Sequence, residues 1–251
     1  MPYANTSELA ARIHPLALCE EPGQLREINL DYAATTPALQ AAVDAVNAFL
    51  PWYGSVHRGG GRRSEVSTDA YEQARDSAAR FIDCPPGSTV VFVRNTTEAA
   101  NLLSSALPPY SRVLCSPIEH HANLLPWRGH EVDHLPFTSS LAGFVESAEA
   151  ALARAASNRR PYRLLAVTGA SNVTGEVTPL EELSRIAHEY GALIFVDAAQ
   201  LAPHRPISGS AAATTSRSPV PCARASASGR PRPTSMRCSR ASGHYAQRWV
   251  E

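Results

Sequence analysis

The sequence predicts an α/β fold: a mostly parallel sheet sandwiched by helices over residues 28–207, followed by a disordered tail. Three observations carry this. Helical and strand patterns alternate at short intervals between residues 37 and 206. The run "LIFVDAAQ" (193–200) reads as a strand buried on both faces, as inside a parallel sheet, and it ends abruptly in a carboxylate. After Pro206 the apolar period disappears and Ser, Ala, Arg and Pro take over.

In chain order, ALQAAVDAVNAFL (38–50) and TDAYEQARDSAARFI (68–82) have helical spacing, and Thr68 is placed to cap the second. TVVFVR (89–94) predicts a strand and TTEAANLLSSAL (96–107) a helix. SRVLCS (111–116) and EVDHLPF (131–137) predict strands. VESAEAALARAAS (145–157) predicts a helix, RLLAVTG (163–169) a strand, and PLEELSRIAHEYG (179–191) a helix closed by Gly191. LIFVD is the last strand. No internal repeat is visible.

Bulk properties narrow the function classes. At 251 residues and 44% hydrophobic, the chain can build one substantial domain. No stretch approaches the ~20 apolar residues of a membrane span, and the start has no basic-then-apolar secretory pattern. Cys19, Cys84, Cys115, Cys222 and Cys238 are scattered without a C-x-x-C pair, which points to a reducing cytoplasm and away from a disulfide framework. The zero net charge conceals an asymmetry: residues 1–206 hold 16 Arg against 22 Asp and Glu, residues 207–251 hold 7 Arg against Glu251. All 23 basic residues are arginine, and there is no lysine. The basic tail has almost no aromatics for base stacking and no folded basic face, so nucleic acid is not its expected partner.

Four stretches stand where strands give way to loops. RNTTEAANLL (94–103) puts Asn95, Thr96 and Thr97 at a helix start, where free N–H groups and hydroxyls suit an anion; an ordinary cap supported by Glu98 is the alternative. PIEHHANLLPW (117–127) carries Glu119, His120 and His121. TGASNVTGEVTPLEEL (168–183) carries Asn172, and VDAAQ carries Asp197 and Gln200. Ligands of open α/β sheets bind beyond the carboxyl ends of strands, so these loops converge on one edge. HEVDH (130–134) matches a zinc pattern that requires a helix. Gly129, Pro136 and the β-type residues around it predict a strand instead, which holds its histidines about four rises of ~3.3 Å apart, too far for one metal. No metal site is expected.

The order of these motifs resembles the class V aminotransferases, fold-type I pyridoxal-phosphate enzymes, and most closely the cysteine desulfurase and selenocysteine lyase branch. INLDYAATTP, SVHRGGGRRSEVSTDAYEQARDSAARFI, VRNTTEAANLL, EHHANLLPW, SNVTGEVTPLEEL and YGALIFVDAAQLAPHRPI run in family order over residues 28–207. The resemblance implies a large domain of the pyridoxal-phosphate transferase type, with residues 1–27 as a separate N-terminal segment. It implies that Thr96 and Thr97 hold the cofactor phosphate, that His120 stacks on the pyridine ring, that Asn172 and Gln200 bond its phenolic oxygen, and that Asp197 pairs with its nitrogen. The substrate implied is a small amino acid such as cysteine, converted to alanine, in a homodimer. A different class V activity, aminotransferase or epimerase, and a non-catalytic remnant binding a phosphate ligand or a partner protein are the alternatives. His57 and Arg58 match a segment that reaches a neighbouring subunit's site, or form a solvated loop; the family's "GxHxLS" is altered here to GGGRRS.

The resemblance also breaks. The family's lysine, which forms the Schiff base, lies on an SGHK stretch after the aspartate strand, and this chain has no lysine. The small C-terminal domain is missing, and Cys222 and Cys238 match no motif of the family's catalytic cysteine. Codons for TTSRSPV (214–220), displaced by one base, can read Asp-Tyr-Leu-Ala-Leu-Ser-Gly, which resembles the family strand just before that lysine. The tail therefore reads as a frame-displaced sequence, and the desulfurase-like chain as truncated and inactive. Residues 208–251 are expected to be disordered and to carry no chemistry. Deleting them is expected to leave solubility and melting temperature unchanged or improved; a large loss of thermal stability on truncation at 207 would contradict this.

Overall fold

The computed structural model describes residues 30–204, so the segment 1–27 and the tail 208–251 lie outside the described residues. Its helices are α1 (Gln40–Phe49), α2 (Arg62–Phe81), α3 (Thr96–Ala106), α4 (His121–Leu124), α5 (Leu141–Ser157) and α6 (Leu180–Glu189). Its strands are β1 (Arg112–Cys115), β2 (Glu131–His134), β3 (Leu164–Thr168) and β4 (Leu193–Asp197). The sheet order is β2-β1-β3-β4 and every pairing is parallel. Parallel neighbours need crossovers, and helices supply them, as the alternation in sequence predicts.

The two-residue period of a strand sorts the core onto two faces. Leu114, Leu165, Val167 and Ile194 meet Val145, Ala148 and Leu152 of α5 and Leu183, Ile186 and Ala187 of α6. Val113, Cys115, Leu164 and Ala166 point the other way, onto Ala100 of α3 and Trp127, with Phe195 packed beside them. The Trp127 and Phe195 rings meet edge-on at 5.4 Å. β3 is buried along its whole length because it has a strand on each side and a helix layer on each face.

Helix ends follow their caps. Ser140 Oγ accepts from Gly143 N at 3.1 Å, so α5 starts four residues before the predicted segment. α6 ends at Gly191, whose φ of 75° is a left-handed turn, and Ala192 N donates back to Ala187 O at 2.8 Å.

Three predicted elements need correction. Thr68 does not cap α2, which begins at Arg62 after Gly61 (φ 106°). Hydroxyls of its first turns bind the preceding loop instead: Ser67 Oγ accepts from Gly54 N at 2.8 Å, Thr68 Oγ1 from His57 N at 3.0 Å, and Ser64 Oγ donates to Ser55 O at 2.7 Å. The loop carrying His57 and Arg58 is thus tied to α2, and His57 Nε2 lies 2.7 Å from Glu72 Oε1.

Residues 89–94 are not a strand. They have no sheet neighbour among the described residues, and without a ladder the apolar run leaves Val91 59% and Phe92 46% exposed. For the same reason LIFVD is not buried on both faces. β4 is the sheet's last strand among the described residues, so Leu193, Phe195 and Val196 are only half-buried.

An apolar extended run and a sheet edge with no partner strand among the described residues favour association between chains. Replacing Val91 and Val93 together by serine is expected to raise the concentration at which light scattering appears, with stability held within about 0.5 kcal/mol because the positions are exposed. Unchanged scattering would place the sticky surface elsewhere.

Candidate functional site

The carboxyl ends of β1, β3 and β4 lie side by side. Asp197 closes β4, opposite Thr168 of β3 in the parallel register, and is 6% exposed. Gly169 N donates to Asp197 O at 2.7 Å. The carboxylate has one hydrogen bond among the described residues, from Ala199 N to Oδ1 at 3.1 Å. That bond turns the chain after the strand. The turn returns Leu201 onto Gly169, where an added Cβ would meet Leu201 Cδ2 at 2.9 Å, so a glycine is required for the close approach. Gln200, in the same turn, donates its Nε2 to Ala33 O at 3.2 Å and binds the residue 31–34 turn to the end of β4.

His120 follows β1 and caps α4. Its Nδ1 accepts from Ala122 N at 3.1 Å, so the neutral ring carries its proton on Nε2. The ring is exposed. Glu119, next to it, is buried: Oε1 accepts from Thr168 N and Oε2 from Asn123 Nδ2, each at 2.5 Å. Burial raises its carboxyl pKa from 4.5 to about 7; hydrogen bonds from Ser116, Thr168 and Asn123 oppose the shift and the nearby Asp197 charge adds to it.

Asn95 is the cap of α3, its side chain accepting from Glu98 N at 2.9 Å. Glu98 turns back to Arg94, accepting from its N at 2.6 Å. The N–H groups and hydroxyls of Thr96 and Thr97 have no partner among the described residues. At the other end of α3, Ser104 O lies 3.0 Å from His130 Nε2, at the entrance to β2. The helix therefore runs against the strands, and its N-terminus points toward their carboxyl edge. Asn172 is exposed in the turn after β3, which Ser171 Oγ shapes by accepting from Val173 N (3.2 Å) and Thr174 N (3.1 Å).

The HEVDH stretch is a strand, as its flanking residues predict, with His130 just before β2 and His134 at its end. Of the described cysteines, Cys115 is buried, and burial with Glu119 nearby pushes its thiol up to about 12. It is no source of thiolate at neutral pH. The role of Glu119 is not legible in the sequence. The available signal was an acid between the apolar end of a strand and two histidines, but its partner Thr168 lies 49 residues away.

The carboxyl edge of the parallel sheet thus carries a buried aspartate at the end of one strand and a histidine-capped turn at another, with the start of α3 facing the same edge. Residues 28–213 match the family model "Aminotransferase class-V", and the chain belongs to that family. It is similar to a cysteine desulfurase of Dickeya dadantii, 38% identical over 190 residues, covering 71% of this chain and 45% of the relative. A probable cysteine desulfurase of Halalkalibacterium halodurans is 32% identical over 192 residues, covering 72% and 46%. Among solved structures, the apo cysteine desulfurase from Thermococcus onnurineus NA1 superposes with a TM-score of 0.62 at 30% identity, covering 72% of this chain and 46% of that one. The fold is that of a cysteine desulfurase-like class V aminotransferase, and the chain spans about half the length of these relatives.

The Glu119 shift has a signed consequence. Between pH 4.5 and about 7 the folded carboxyl keeps a proton that the unfolded one releases, so stability falls as pH rises through that window and levels above it. The slope from this group is at most about 1.4 kcal/mol per pH unit. Glu119→Gln is expected to flatten it, as read by urea unfolding at several pH values; an unchanged profile would assign the slope to other groups.

Proposed function

We propose that this chain is a cofactor-binding portion of a cysteine desulfurase-type enzyme, which holds pyridoxal 5′-phosphate without a covalent bond and does not complete the reaction. The observation that carries the reading is Asp197: a buried carboxylate at a strand's carboxyl end, with one hydrogen-bond donor among the described residues. A buried charge is costly unless it is paired, and a protonated ring nitrogen is a fitting partner. The donor set near the other strand ends suits the rest of the group. Thr96 and Thr97 offer N–H and hydroxyl donors to a phosphate at a helix N-terminus. His120 presents an exposed imidazole to the ring, with Asn172 and Gln200 as hydrogen-bonding groups for its phenolic oxygen.

When bound, pyridoxal phosphate supplies an electron sink. The part of Asp197 is to hold a proton on the ring nitrogen, and that of His120 is to cover the ring. What the chain lacks is a lysine. Its absence removes the family's covalent anchor for the cofactor and the family's base at the substrate α-carbon, a role worth about 10²–10⁴-fold in rate. Cysteine is the proposed substrate of the ancestral reaction, and the cytoplasm the proposed location. The edge of β4, which has no outer strand among the described residues, favours association between chains over the family's homodimer.

The full chain is expected to bind pyridoxal phosphate, to lose it on dialysis, and to retain none on any side chain after borohydride treatment. Asp197→Ala is expected to weaken binding by about tenfold or more, the worth of a charge-assisted hydrogen bond. Alanine formation from cysteine is expected not to exceed that with free cofactor. Enzyme-like turnover, or side-chain labelling by borohydride, would overturn the reading.

A further inference from the structure

Glu119 buries a carboxyl between strand ends. In the parallel register Cys115 pairs with Ala166, and Ser116 N donates to Ala166 O at 3.0 Å. The next rung of that ladder would run from Thr168 N to the Ser116 carbonyl. Pro117 and the turn after it carry the backbone away, and Glu119 Oε1 takes the Thr168 N–H instead, at 2.5 Å. Its other oxygen accepts from Asn123 Nδ2 at 2.5 Å. Asn123 is fully buried and receives the Trp127 indole N–H through its carbonyl at 2.7 Å and Oδ1 at 3.1 Å. One side chain therefore joins the end of β3, the turn after β1 and α4. Its chain neighbour is His120, and its partner Thr168 is the register mate of Asp197.

We propose that Glu119 is a positioning residue: it extends the β1–β3 ladder by one rung and so sets His120 relative to Asp197, the two groups that would take the cofactor ring. The proposal rests on the pyridoxal-phosphate reading of the site. Burial raises the Glu119 carboxyl pKa, which lessens the negative charge it sets beside Asp197 while its oxygen accepts the Thr168 N–H. Aspartate is one methylene too short for the reach, whereas glutamine keeps the reach and an amide oxygen for the Thr168 N–H.

The test uses the full chain and three variants, Glu119→Gln, Glu119→Asp and Glu119→Ala. In the protein without added cofactor, hydrogen exchange in peptides covering 118–124 and 164–170 is expected to quicken about tenfold or more in the Ala and Asp variants, as for a lost buried hydrogen bond, and to return near wild type with Gln. With pyridoxal phosphate as the probe, the Ala and Asp variants are expected to show weaker binding and an altered induced circular dichroism of the cofactor band, both rescued by Gln. Should the Ala variant fail to fold, the Asp and Gln pair carries the comparison. Wild-type exchange at Thr168 in the Asp variant overturns the proposal, as does wild-type affinity with unchanged ellipticity. If wild type and Asp197→Ala take up the cofactor equally, the functional reading fails, and the Glu119 splice is decided by exchange.

Discussion

Everything near the site depends on β3 having no unsatisfied backbone in a strand with no access to water. Each of its five residues is buried, so each N–H and C=O needs a partner within the protein. β1 and β4 supply them along the strand, in strict parallel register. Where β1 stops short, Glu119 supplies the partner; beyond the end of β3, the Asp197 carbonyl receives Gly169. The two carboxylate residues at this edge are thus fixed to the same strand by the same requirement, one through its side chain and one through its backbone.

That requirement also explains where the domain is weak. The central strand is satisfied on both sides, while β4 lacks an outer neighbour and the 89–94 run has none among the described residues. Hydrophobic packing does not compensate there, because Val91 and Phe92 face solvent in substantial part. α1 buries no residue, and α2 buries only Ser64 and Ser67. The well-packed part of the protein is therefore the three-layer unit of β1–β4 with α3 to α6, and the elements before it add little core.

On the proposed reading, hydroxyls and helix N–H groups at Thr96 and Thr97, an imidazole at His120 and a buried carboxylate at Asp197 are the groups that would hold a charged aromatic phosphate. No lysine exists to react with an aldehyde, and the buried Cys115 thiol is held in its protonated form.

Local pattern alone determined the parallel α/β architecture, the strand status of HEVDH and the approximate place of nearly every helix. Those features follow from period, caps and breakers within a few residues, as with Ser140, Gly191 and the apolar run ending at Asp197. It misjudged TVVFVR and the burial of LIFVD, since a strand exists only through its neighbours and neighbour order is not a local property. It also placed the start of α2 at Thr68, because hydroxyls near a helix start read as caps whether they bind their own helix or the preceding loop. Motif order made Thr96, Thr97, His120, Asn172, Asp197 and Gln200 legible as site candidates. The role of Glu119 was not legible: its Thr168 partner is 49 residues away, and only the β1–β3 register brings the two together where burial excludes water.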